Sequence, residues 1–178
     1  NRNLLDEMVP DRVPVDLLHA VLRLLLEEQV SIRNIPFILE AIAEARGSVT
    51  QPEAICEHVR QKLGFQIVSE LQRDDGSIPL IQFAPEWEDA FNTYQVEAAR
   101  GGLDVALPPD VFSKLSEQAS TKANEVGERG VNAAFVTSAK RRRFLRTVLS
   151  ARGLANPVLS FEEIGFEARP ALVGVVEA

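Results

Sequence analysis

The chain has one cysteine, Cys56, and two histidines, His19 and His58, among 178 residues. A lone cysteine excludes an intrachain disulfide and fits a reducing compartment. It also leaves too few ligands for a zinc site: Cys56 and His58 stand two apart on a helical segment and face different sides. No apolar run reaches the roughly 18 residues needed to cross a bilayer. No signal peptide is visible. The sequence holds no Gly-rich phosphate loop, no HExxH, no nucleophile elbow and no CxxC pair. An enzyme reading therefore has no acid–base or metal constellation to rest on, and no catalytic, cofactor or metal residue is assigned.

What is present is ordinary globular material, 46% hydrophobic and 25% charged, too apolar for disorder. The net charge of −7 argues against general nucleic-acid affinity. The charge is uneven. Residues 1–99 carry 8 Lys/Arg against 17 Asp/Glu, a balance of −9, and residues 100–178 carry 11 against 9, a balance of +2. Two halves of different character fit two modules.

Leu4–Val9 reads as a short apolar turn before Pro10. Pro14 opens a helix with Leu17, Leu18, Val21, Leu22, Leu24, Leu25 and Leu26, a stripe wide enough to imply burial on more than one side. Asn34 as cap places Pro36 harmlessly in the first turn of a helix over about 35–46, stopped by Gly47. Thr50-x-x-Glu53 reads as a capping box before a helix whose Ile55, Val59, Leu63, Ile67 and Leu71 keep period four. Ile78–Phe83 is a strand, demoted to an edge by Pro79, and a helix from Pro85 to about Ala99 carries Trp87, Phe91 and Tyr94. This helical, winged-helix-like module spans 1–99. Gly101-Gly102 and Pro108-Pro109 mark 100–108 as a linker.

Residues 109–178 read as a small α/β module. It has a helix at about 109–127, strands at 132–138, 156–161 and 171–177, and a helix at 139–152. Strand–helix–strand spacing makes the first two strands parallel. The expected fold is α+β, a helical module followed by a three-stranded α/β one.

Three features invite a functional reading. Glu27 and Glu28 sit at a helix C-terminus, where the macrodipole disfavours acids by about 0.3–1 kcal/mol; they are either a solvated helix end or a contact, for instance with Arg33. "KRRRFLR" (140–146) is five cations in seven residues. With Phe144, Leu145, Val148 and Leu149 turned inward, Arg142, Arg143 and Arg146 are expected at the surface. There they form either a solvated face compensated by Glu162, Glu163 and Glu167 or a docking site for an anionic partner. Finally, helices followed by a strand leave a winged-helix nucleic-acid regulator as a rival, which the −9 balance of the helical half opposes.

The stretch "LLDEMVPDRVPVDLLHAVLRLLLEEQVSIRNIPFILEAIAEARG" closely resembles the cytoplasmic C-terminal domain of the FHIPEP (FlhA/LcrD) family, the export-gate proteins of flagellar and injectisome type III secretion. The matching residues are Met8-Val9-Pro10, Leu18, Val21-Leu22, Leu25-Leu26-Glu27, Val30, Ile32-Arg33-Asn34 and Ile38-Leu39-Glu40. "PEAICEHVRQKLGFQI" and "PPDVFSKL…AAFVTSAKRRRFLRTVL…PVLSFEEI" extend the likeness over nearly the whole chain, and Gly64-Phe65 stands where a more polar pair is common. The resemblance implies the third and fourth cytoplasmic subdomains of a larger bacterial inner-membrane protein, whose membrane half and first two subdomains precede Asn1. It further implies a non-catalytic platform that assembles into a ring, nonameric in the family, and receives chaperone–substrate complexes and other export components, with no nucleic acid and no cofactor. On that basis Glu27, Glu28, Arg33 and Asn34 are the ring-contact candidates, and Arg142, Arg143 and Arg146 the second candidate surface.

Overall fold

A computed structural model describes residues 2–99 and 101–178. Two compact units divide the chain at 67/68. The first is helical: α1 (Arg2–Met8), α2 (Val15–Glu27), α3 (Ile35–Ala45), α4 (Pro52–Lys62) and the start of α5 (Gly64–Leu71). Both α2 and α3 pack on α4, and α1 packs on α3. Val21, Leu25, Ile38, Leu39, Ile42, Ile55, Val59 and Leu63 are fully buried among them. No strand lies among the described residues of this unit.

Local signals set most of these boundaries. Pro14 stands at the cap of α2, and Asn34 at the cap of α3 with Pro36 in its first turn, though neither makes a side-chain cap bond. The Thr50–Glu53 box does not form: α4 starts at Pro52 with Gln51 at its cap, one residue too late for Thr50. The helix expected through Leu71 breaks at Leu63 and restarts at Gly64. Leu4–Met8 is a helix rather than a turn, and its Met8 is buried.

The second unit is a four-stranded parallel sheet of order β5-β4-β1-β6, formed by β1 (Ser77–Phe83), β4 (Ala134–Thr137), β5 (Val158–Ser160) and β6 (Arg169–Val176). A separate hairpin pairs β2 (Gln95–Glu97) with β3 (Leu103–Val105). Helices α6 (Pro85–Thr93), α7 (Pro109–Glu128) and α8 (Ala139–Ala151) complete it. Trp87, Phe91, Leu115, Ala119, Leu145 and Val148 form one core with Ile81, Phe83, Phe135 and Val176 of the sheet.

The sheet corrects three expectations. It has four strands, because Ile78–Phe83 is not an edge but lies between β4 and β6. Pro79 is tolerated because β4 pairs with β1 only at Leu80 and Ile81, leaving Pro79 paired with β6 alone, at Ala171. Residues 68–99 therefore belong with the C-terminal unit, and one core crosses the expected 100–108 linker. That "linker" is the β2–β3 hairpin: Gly101 and Gly102 take φ of +89° and +80°, a left-handed turn open to glycine without strain. The helix from Pro85 ends at Thr93 for the same reason.

β6 pairs Leu80 with Leu172 and Ile81 with Gly174, so Val173 bulges out. Its carbonyl accepts from Arg129 (2.6 Å). A Cβ at Gly174 would meet the Lys122 side chain at 2.9 Å. α6 is pinned to the end of β6, since the Trp87 indole N–H donates to the Glu177 carbonyl (2.9 Å) and the Ala84 N–H to Val176 (2.9 Å).

The turn before β1 is set by Asp75, whose Oδ1 accepts from the Ser77 hydroxyl (2.6 Å) and N–H (2.9 Å). These bonds hold its carboxyl below the ordinary 3.8. A lowered folded-state value stabilises the fold above the unfolded pKa and is lost as pH falls through the folded one. The stability advantage of wild type over Asp75→Asn should therefore be present at pH 7 and shrink below about pH 4, read from urea midpoints across pH. In the first unit, Leu25→Ala should lower stability by about 2–5 kcal/mol through cavity formation, whereas half-buried Leu22→Ala should lose clearly less; thermal or urea unfolding distinguishes them.

Candidate protein-interaction surfaces

The turn from Glu27 to Asn34 is built by the end of α2. The Gln29 N–H bonds the Leu26 carbonyl and the Val30 N–H bonds Leu25, both at 2.9 Å, with Gln29 at φ +60°. This is a Schellman closure with glutamine in the left-handed position glycine usually takes, and Val30 buried beneath it.

The four candidates of this turn separate. Glu27 and Arg33 are exposed. Asn34 is half-buried at the start of α3. Glu28 is drawn inward: its carboxylate lies 3.9 Å from the buried Arg60 guanidinium, which also lies 4.0 Å from Glu57. Arg60 was not legible as a site residue, because on α4 it reads as one more cation in the helix's last turn.

Helix α2 carries an apolar margin that the first unit leaves open. Val21 and Leu25 are buried; Leu18 and Leu22 are half-buried; Val15 and Leu26 are 59% and 53% exposed. At 100° per residue, Val15, Leu18, Leu22 and Leu26 fall along one strip beside the buried line. The wide stripe is thus covered on one side and open on the other.

The basic helix is a correction. Arg142 is fully buried, Arg141 nearly so, and Arg143 and Arg146 are half-buried. Helical spacing explains this: Arg141 and Arg142 precede the inward Leu145 by four and three residues, so they share its face. Arg142 Nη1 donates to the Val158 carbonyl of β5 (3.0 Å). Arg141 Nη2 donates to Asn92 Oδ1 and Gln95 Oε1, both 2.8 Å. Burial lowers the Arg141 pKa, opposed by the charge of Glu88. Arg146 donates to Ser150 Oγ and to the Asn156 and Leu154 carbonyls, holding the loop between α8 and β5.

The acids serve the same fold. Glu162 accepts from the Ala139 N–H at the start of α8 (2.9 Å), a favourable place for an anion. Buried Glu163 accepts from the Ser160 N–H (2.7 Å). Glu167 remains exposed. Of the five cations, Lys140 alone is fully at the surface.

Residues 1–169 match the FHIPEP family. The chain belongs to the FHIPEP family. It is 31% identical over 178 residues to the flagellar biosynthesis protein FlhA of Caulobacter vibrioides, covering 98% of this chain and 25% of that protein. It is 26% identical over 174 residues to FlhA of Bacillus subtilis (98% and 26%), and 26% over 173 residues to the invasion protein InvA of Salmonella typhimurium (92% and 25%). The chain thus spans about a quarter of the length of these relatives. Among solved structures, it resembles Chlamydia pneumoniae CdsV in a CdsV–CdsO complex (TM-score 0.85, 22% identity, 98% of this chain and 51% of that one). It also resembles the nonameric EPEC SctV-C (TM-score 0.77, 21%, 98% and 55%). At these identities the structural likeness establishes the family's mixed helix-and-sheet fold. No helix among the described residues is long and apolar enough to cross a membrane.

Because Arg142 fills core volume and bonds β5, Arg142→Ala should lower stability by about 3–5 kcal/mol. Arg143→Ala, one position round the helix, should change it by less than about 1 kcal/mol. Chemical unfolding of the two variants reads the difference.

Proposed function

We propose that this chain is a cytoplasmic part of a bacterial flagellar export gate, a non-catalytic platform that assembles with copies of itself and docks export components. The open strip on α2 carries this reading. Val15, Leu18, Leu22 and Leu26 offer one continuous apolar edge, and the turn that follows it carries the exposed Glu27 and Arg33. Apolar strips with charged rims suit assembly surfaces. A ring needs a heterologous contact that closes by rotation, and the likeness to the nonameric EPEC SctV-C supports one. Docking of chaperone–substrate complexes belongs to this reading as a role of the assembled gate. The reading includes an inner-membrane anchor in a longer protein, and relatives about four times the length of this chain support it. An injectisome gate is the second reading, favoured by the likeness to InvA.

The reading is tested in the complete gate protein. Leu26→Glu and Val15→Glu, at exposed positions, should change the unfolding free energy by less than about 1 kcal/mol. Both should abolish ring formation in native mass spectrometry and reduce secretion. Charge reversal at Glu27 or Arg33 should weaken assembly less. Rings and secretion at wild-type level in Leu26→Glu and Val15→Glu would remove α2 from the contact.

A further inference from the structure

The loop between β5 and β6, residues 161–168, inverts the usual partition of side chains. Glu163 is buried at 2% exposure, while Phe166, three residues on, is fully exposed and Phe161 is 51% exposed. Charged groups are seldom fully buried, and phenylalanines usually are. The hydrogen bonds show what holds the loop this way. The Glu163 carboxylate accepts from the Ser160 N–H (2.7 Å), and its own N–H donates to Ser160 Oγ (3.1 Å). The Phe161 N–H donates to the Thr137 carbonyl of β4 (2.9 Å), and Glu162 Oε2 accepts from the Ala139 N–H at the start of α8 (2.9 Å). β5 and β6 are the opposite edges of the sheet, so the loop must also cross three strand spacings, roughly 14 Å. It is fastened at its β5 end with both rings left outside.

Each ring is followed directly by an exposed carboxylate, as Phe161-Glu162 and Phe166-Glu167. The neighbours are covalent, so ring and carboxylate stay together whatever the rotamers. Among the described residues neither carboxylate joins an ion pair. Residues 161–167 hold three acids and no cation. Arg169 is turned elsewhere: a Cβ at Gly76 would meet its Nη2 at 3.1 Å. Such a surface repels phosphate and anionic lipid. A π face with a carboxylate beside it suits a guanidinium, which stacks through its plane and pairs through its edge. A compact, strongly hydrated ammonium pairs but stacks less well.

We propose that Phe161-Glu162 and Phe166-Glu167 form a docking site for an arginine-bearing segment of a protein partner. Each guanidinium lies on a ring and pairs with the carboxylate that follows it. The loop is already ordered by the bonds of Phe161, Glu162 and Glu163, so little backbone freedom is lost on binding. The site lies wholly in the second unit and does not depend on the α2 strip or on assembly.

Fluorescence anisotropy of the 178-residue chain tests it with three labelled peptides, four repeats of Arg-Leu, of Lys-Leu and of Glu-Leu. The Arg peptide should bind at least about threefold more tightly than the Lys peptide, the Glu peptide should not bind, and added salt should weaken both basic peptides. Phe166→Ser should remove most of the preference for Arg over Lys, with an unchanged urea midpoint. Glu167→Gln should weaken both basic peptides by a similar factor and leave that preference in place, which separates stacking from charge. The proposal is overturned if the Arg peptide does not bind, if the Lys peptide binds as tightly, or if Phe166→Ser leaves the preference intact. It is equally overturned if Phe166→Ser alters only the sedimentation of the chain itself, since a second copy would then be what covers the ring.

Discussion

The pairing of β1 on both its edges is the interaction on which the second unit depends. β1 is made early, at 77–83, and its partners β4 and β6 come roughly 55 and 90 residues later. A parallel sheet cannot close by hairpins, so each partner must return through a crossover. α6, the β2–β3 hairpin and α7 lie in the connection between β1 and β4, and their apolar faces form the core. Once β1 sits between β4 and β6, residues 68–99 cannot belong to the helical unit, whatever their composition.

The same closure explains the arginines. Helix α8 must lay Leu145, Val148 and Leu149 on the sheet, and the residues one turn earlier on that face are Arg141 and Arg142. Their guanidiniums reach polar groups that the fold brings to them: the β5 carbonyl of Val158, and Asn92 and Gln95 at the end of α6 and the start of the hairpin. Buried cations are tolerable only when so bonded. A run that looks like an electrostatic surface is mostly internal scaffolding.

In that first unit the surfaces arise from incomplete coverage. α2 is apolar over more of its circumference than α4 can bury, and Val15 and Leu26 remain outside. Arg60 sits buried between Glu28 and Glu57, so one of the two misplaced acids at the α2 C-terminus is explained by a tertiary pairing and only Glu27 remains at the surface.

The helices were legible because their signals are local. Pro14, Pro36 and Pro85 mark starts, and the 3.6-residue spacing of Ile38, Leu39 and Ile42 marks an inward face. The strands at 134–137, 158–160 and 169–176 were legible as short apolar runs, and the family was legible in the motifs of residues 4–44. The turn at Gly101-Gly102 was visible too, but whether it ends a domain or a hairpin depends on what lies opposite, which local sequence does not state. The sequence by itself determined most of the helices, the four strands of the main sheet and the family; it did not determine α1, read as a turn, or the β2–β3 hairpin, read as helix end and linker. Only the tertiary structure decided that Ile78–Phe83 is central and that Arg142 and Glu28 are not surface charges. Each of these rests on a contact between residues far apart in the chain, and burial is a property of that contact rather than of the residue.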